Sequence, residues 1–288
     1  MAVRDILMLL SDAPANAQQL ALTLALAARH GARVSGFCPL DLLSLPPPAM
    51  ELLGYGEAMA PDQEVAQPST VAAHAEQLEA MFREEVGRAG VAGAWHVGDA
   101  DPPAALLRLA HQSDLIVFGQ PQPEGALAGR TAEVMQQVLL EAGRPLLIVP
   151  YAGKFDALAR LDGFHALIGW TETREAARAV HDALPLLTAA GAVTVLTVLA
   201  GRDAPIEGQP PAAELALHLQ RHGVPATAVR TVTDGIPDSD ALLSYACDVS
   251  ADLLVLGGYG HSPLRERMWG GVTRDVLRHM TLPVLMSH

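Results

Sequence analysis

Apolar residues along the chain follow two rhythms. Short uninterrupted runs such as HALIGW (165–170) and ADLLVLG (251–257) are bounded by glycine, proline or charge, the pattern of strands covered on both faces. Between them, TREAARAVHDALPLLTAAG (173–191) places its apolar residues at three- and four-residue intervals. That spacing predicts an amphipathic helix, with Gly191 ending it in a left-handed turn. The alternation continues with the strand AVTVLTVL, the helix AAELALHLQRHG, the strand ATAVRTV and the helix DALLSYACDV. After ADLLVLG come a glycine-rich loop, the helix VTRDVLRHM and a closing strand, PVLM. Strands alternating with helices predict a parallel sheet with helices on both faces. In such sheets ligands bind at the carboxyl ends of the strands, where the strand order reverses.

The same pattern occurs twice. SDLIVFG (113–119) matches ADLLVLG, and RPLLIVP (144–150) matches LPVLMSH (282–288), both at an offset of 138. Earlier, HGARVSGF (30–37) resembles AGAVTVLTV (190–198) at an offset of 160, so the first half holds 22 additional residues. They belong to a Pro- and Gly-rich stretch around 39–69, which reads as a surface excursion. The predicted fold is α/β: two tandem doubly wound (Rossmann-like) domains, each a mostly parallel five-stranded sheet with helices on both faces. The domains are expected at 1–152 and 160–288.

The loop GGYGHSPLRERMWGGVT (257–273) carries the candidate chemistry. Gly257, Gly258 and Gly260 are expected to supply positive φ for a sharp turn. SPLRERM reads as a short helix capped by Ser262 with Pro263 in its first position. Gly270 and Gly271 then open the helix VTRDVLRHM, whose first amides, joined by the hydroxyl of Thr273, form an anion site through the helix dipole. The loop lacks the Gly-Lys-Ser/Thr ending of a P-loop, and it follows the fourth strand of its half, not the first as the dinucleotide fingerprint would.

Charge narrows the candidates. A net charge of −13 excludes a general nucleic-acid or lipid-surface binder, both of which need a basic face. An anionic small ligand remains compatible, provided backbone amides supply the positive field. Cys38 and Cys247 lie in apolar surroundings and read as buried free thiols. The opening run DILMLL is too short for a signal or a membrane span, so a soluble cytoplasmic protein is expected.

With Gly257-x2-Gly260-x9-Gly270 set between ADLLVLG and VTRDVLRHMTLPVLM, and with GWTETREAARAVHDALPLLTAAGAVTVLTV before it, residues 162–288 resemble the universal stress protein family. The first half resembles it more faintly, as a degenerate domain with an insertion around 39–69. The resemblance implies binding of ATP (or ADP or AMP, with or without Mg). The triphosphate would lie on Gly257, Gly260, Gly270, Gly271, Val272 and Thr273, within reach of His261. The adenine would lie between the first two strand ends, near Gly169, Trp170, Thr171 and the main chain of Val198. Two departures weaken the site: Gly271 stands where ATP-binding members carry Ser or Thr, and Thr171 where they carry Asp. In the first half, Gln120 to Pro123 replace the glycine turn and remove donors, although Asp12 roughly matches the nucleoside-facing acid. That half reads as structural or regulatory. The family also pairs through its last strands, so PLLIVP and PVLM are expected to join the halves as a pseudo-dimer; a homodimer of whole chains is left open.

Other constellations are weaker. His218 and His222 stand four apart on a helix, without the metalloprotease Glu or an evident third ligand in sequence, and read as a solvated face. Arg265, Arg267 and Arg274 flank the loop. Asp238 or Ser239, and Asp99 or Asp101 in the first half, are expected to cap helices. His181 and Asp182 have no nucleophile tied to them, and no catalytic signature emerges. The expectation is a nucleotide-binding regulatory protein. The alternatives are a nucleotide-free scaffold and a slow ATPase.

Overall fold

A computed structural model describes residues 3–11, 16–40, 68–98, 102–121, 128–201, 212–259 and 271–288. The 41–67 part of the insertion, Asp12, Asp99, Asp101, Pro123, the segment SPLRERM and the site candidates Gly260, His261 and Gly270 lie outside the described residues.

In the first half the elements are β1 (Asp5–Leu9), α1 (Asn16–His30), β2 (Arg33–Pro39), α2 (Pro68–Ala89), β3 (Gly93–Gly98), α3 (Pro102–Ala110), β4 (Leu115–Gly119), α4 (Ala128–Glu141) and β5 (Leu146–Val149). A short α5 (Asp156–Arg160) leads into the second half. There β6 (His165–Gly169), α6 (Arg174–Leu187), β7 (Ala192–Ala200), α7 (Ala213–Arg221), β8 (Ala226–Thr233), α8 (Asp238–Asp248), β9 (Leu253–Gly257), α9 (Gly271–His279) and β10 (Val284–Ser287) follow.

All ten strands form one sheet in the order β3-β2-β1-β4-β5-β10-β9-β6-β7-β8. Within each half every pairing is parallel. The halves meet through the antiparallel pair β5–β10, where Leu147 faces Leu285. PLLIVP and PVLM are therefore hydrogen-bonded neighbours. The order of each half reverses once, between β1 and β4 and between β6 and β9, which fixes where a ligand crevice belongs.

The apolar runs become strands because they are buried on both faces. Leu253 to Leu256 lie between two layers of side chains, one led by Ala179, Val180 and Leu219, the other by Leu242, Val276 and Leu277. Helices α1, α2, α5, α6 and α7 cover one face, and α3, α4, α8 and α9 the other. Two aspartates at the repeat offset secure the amino edges of the first strands. Asp114 Oδ2 accepts from the amides of Arg4 (2.8 Å) and Asp5 (3.1 Å), and Asp252 Oδ2 accepts from the amide of His165 (2.9 Å).

Several local expectations are corrected. Helix α6 stops at Leu187, and Gly191 does not take positive φ. The Thr188 amide makes the last four-residue bond, to Leu184 O, and the amides of Ala189 and Ala190 instead bond three residues back, to Leu186 O and Leu187 O. Gly191 is required for a different reason: a Cβ there would sit 2.9 Å from the main chain of Gly163. Neither Asp238 nor Ser239 caps α8. Pro237 occupies that position without a side-chain bond, and both residues fall inside the first turn. Cys38 is a buried free thiol, its ionisation pushed up to about 12 by desolvation, whereas Cys247 is free but exposed on α8.

Candidate functional site

The second-half crevice starts at the carboxyl ends of β6 and β9. Gly169 lies beside Leu256 in the sheet register, and a Cβ on Gly169 would collide with the side chains of Leu256 and Leu242. Glycine there keeps the two strand ends together. Gly257 and Gly258 follow with ordinary backbone, and the residue with positive φ is Tyr259, at +63°. This corrects the expected role of the first two glycines. Gly257 has no Cβ because α6 presses on it: a methyl would lie 2.7 Å from the Glu175 carbonyl carbon and 2.8 Å from Ala176 Cα. The Gly258 amide donates to Ser287 O at 2.8 Å, and His288 Nδ1 lies 3.1 Å from Gly258 O. Tyr259 packs its ring edge-on to His288, and burial holds its hydroxyl far above the ordinary tyrosine range.

At the far side of the loop, Gly271 is the first residue of α9. A Cβ there would meet nothing within 4 Å among the described residues. Val272 is exposed and Thr273 is buried at 6% exposure, while Arg274 points to solvent.

Where the sequence expectation put the base, the β6–β7 register ends at Gly169–Leu196, and the Trp170 amide donates to Leu196 O at 2.8 Å. β7 runs four residues further. Val198, two residues on, faces the same side as Leu196 by strand alternation, so its main chain lies past the end of β6. Beside it, the buried Thr197 hydroxyl has no hydrogen-bond partner among the described residues. Trp170 is half-buried against the α6–α7 layer. Thr171 is exposed, its hydroxyl 3.3 Å from that of Thr173. Thr173 caps α6, accepting from the Ala176 amide.

Glu175 borders this region. Burial pushes the Glu175 carboxyl up, but a backbone hydrogen bond, Arg174 and His288 outweigh it and hold it below the usual range. It stays ionised beside Arg174, 3.2 Å away.

The corresponding crevice of the first half is filled from within. Gln19, 1% exposed, donates through Nε2 to Leu9 O (3.0 Å) at the end of β1 and to Val117 O (3.2 Å) in the middle of β4. Its Oε1 would touch a Cβ on Gly119 at 3.0 Å. The buried polar set Asn16, Gln19 and Thr23 of α1 contrasts with Ala176, Ala179 and Ala183 on the buried face of α6. Gln19 escaped the sequence reading; a polar residue among the apolar stripe of a helix that follows a first strand was the available signal.

Two other clusters gain members. His181 of α6 joins His218 and His222 of α7, with ring centroids 5.6 and 4.8 Å apart. Among the described residues no group of three such side chains is arranged to hold a metal ion. Asp182 does meet a hydroxyl: Ser287 Oγ donates to it at 2.9 Å, and Arg178 Nε at 2.8 Å. Ser287 is buried and donates its proton to a carboxylate already paired with a guanidinium, so the set is a structural tie. No helix among the described residues is long and apolar enough to cross a membrane.

Comparison with known proteins places these features in context. Residues 165–288 match the model of the universal stress protein family. Over nearly its whole length the chain is similar to the crystal structure of a universal stress protein from Archaeoglobus fulgidus, at 14% identity and a TM-score of 0.68, covering 98% of this chain and 95% of that one. A putative universal stress protein from Pseudomonas aeruginosa (14% identity, TM-score 0.58, 99% and 93% covered) is similar in the same way. So is a protein of unknown function from Pseudomonas aeruginosa (13%, 0.58, 99% and 92%). At such identities the likeness is one of fold. No curated protein sequence matches the chain.

Proposed function

We propose that the chain, whose residues 165–288 match the universal stress protein model and which shares the fold of such proteins over nearly its whole length, is a cytoplasmic adenine-nucleotide-binding regulatory protein with one site, in the second half. The domains implied are 1–152, which serves the other, and 160–288, which binds. The observation that carries the reading is the position of the glycine loop. It leaves β9 where the strand order reverses and rejoins the described chain at Gly271, the first residue of α9. Backbone amides at a helix start donate to a phosphate without the help of basic side chains, which suits a chain of net charge −13.

The residues fit the ligand in kind. Gly271, Val272 and Thr273 offer the first amides of α9 and a hydroxyl, and Gly257 opens the loop, with Gly260, His261 and Gly270 completing the set by the family resemblance. Gly169, Trp170, Thr171 and the main chain of Val198 border the space for a base. The nucleotide is ATP, or ADP or AMP; with a triphosphate, Mg would be held through the phosphate oxygens. The reading is of a binding protein first, and slow ATP hydrolysis at the same site is the alternative.

Calorimetric titration with ATP tests the reading. Binding is expected in the micromolar to millimolar range, and no heat at millimolar ATP rejects it. Gly271→Pro sharpens the test, because proline is tolerated at the first helical position yet has no amide. Loss of a hydrogen bond to a charged group is expected to weaken binding about tenfold or more, with little change in melting temperature.

A further inference from the structure

Gln120 occupies the position where the first half has lost its glycine turn. Its side chain, 3% exposed, does not face its own crevice. It crosses to the second half, where Nε2 donates to Leu277 O (2.9 Å) and Arg278 O (3.3 Å) in the last turn of α9. Its Oε1 accepts from the Tyr151 amide at 3.3 Å, and its own amide donates to Val149 O at 2.8 Å. Both amide protons and the carbonyl oxygen of the side chain are used. The last carbonyls of a helix have no partner within it, so this is a cap supplied from the opposite half.

The internal repeat shows that the contact is one-sided. Gly258 is the counterpart of Gln120 at the offset of 138, and Leu139 of α4 the counterpart of Leu277. The Gly258 amide makes the equivalent bond, to Ser287 O, but with no side chain it can only pack, and a Cβ would lie 3.0 Å from Leu139. A two-fold related pair of contacts has thus become a polar clamp in one direction. The direction chosen is towards α9, whose other end opens the phosphate loop.

We infer that Gln120 is a positioning residue for the second-half site, fixing α9 through its carboxyl end so that the amides of its first turn stay aimed at the ligand. α9 has nine residues, too few to be stable alone. Its axis is therefore set by the packing of Val276 and Leu277 and by bonds at its ends. The first domain would then act on the second's affinity without touching the ligand. This ligand-directed role rests on the nucleotide reading above; the clamp itself does not.

The full-length chain bearing Gln120→Met tests both parts, since methionine keeps the length and volume but none of the side-chain bonds. Hydrogen exchange of the α9 amides in ligand-free protein is expected to accelerate three- to tenfold, about the worth of one or two neutral hydrogen bonds, with β4 and β9 unchanged. ATP affinity is expected to fall about fivefold, the lower range of coupling between distant positions. Gln120→Asn, a smaller change, should move both readouts the same way. Ile6→Val, a core change in β1, should lower the melting temperature and move neither. Unchanged α9 exchange in Gln120→Met overturns the clamp. Faster exchange with undiminished ATP affinity overturns the positioning role. A wild-type chain that binds no ATP overturns the nucleotide reading and the positioning role together, and is recognised without any variant.

Discussion

At Gly257 the main chain of β9 runs against the amino end of α6, and a methyl group would overlap backbone that cannot move aside. Gly257→Ala is therefore expected to destabilise the protein by about 2 kcal/mol or more, as overpacking does, read as a fall in the denaturation midpoint; a variant as stable as wild type would refute the packing. Histidine chemistry operates at the same scale. His30, His96 and His218 are each held below the ordinary histidine value, first by burial, then by Arg4, by Arg33, and by His222, His181 and Arg221 respectively. Because the folded state resists protonation more than the unfolded one, the stability these groups contribute is fully present above about pH 6.5 and is lost as pH falls from there through their lower folded-state values. The melting temperature should drop between pH 7 and 5, and His218→Gln should flatten that slope. His218 was visible in the sequence as half of an i, i+4 pair; its neighbour His181 was not, because it comes from another helix.

Helices α1 and α6 stand at equivalent places in the two repeats yet treat their crevices in opposite ways. α1 buries Gln19 against the carbonyls of Leu9 and Val117, while α6 presents alanines and is started by the Thr173 cap. Gln19→Leu keeps the bulk and deletes the bonds, leaving two buried carbonyls short of a donor. A loss of about 1–3 kcal/mol is expected, measured by chemical denaturation. Should Gln19→Leu prove neutral, the plug is only space-filling. Element existence was legible from periodicity, as the runs HALIGW and ADLLVLG show. Element ends were less so. Thr188 closed α6 before Gly191, since the residue that ends a helix depends on what its neighbours can bond, and Gly191 answered to the approach of Gly163.

Over the whole molecule the junction is the antiparallel pair β5–β10, reinforced by Gln120 on α9 and by Arg178 Nη2 donating to Gly143 O at 3.1 Å. Leu146 to Val149 are fully buried there, so residues 1–152 produced alone would expose an apolar strand edge, which invites pairing. That fragment is expected to dimerise through β5. A monomer by light scattering at tens of micromolar, with the fold retained, would show that the edge does not drive the junction.

The amino-acid sequence by itself determined the alternation of strands and helices, the repeat at offsets of 160 and 138, and a glycine loop after a fourth strand. These follow from local periodicity and from residues whose backbone freedom is peculiar to them. Only the tertiary structure decided that Gly257 answers to α6, that Tyr259 takes the left-handed turn, that Gln19 closes one crevice and that Gln120 reaches across to α9. Each of these depends on atoms brought together from distant positions, and side-chain length or a missing Cβ acquires its meaning only from the neighbour it meets.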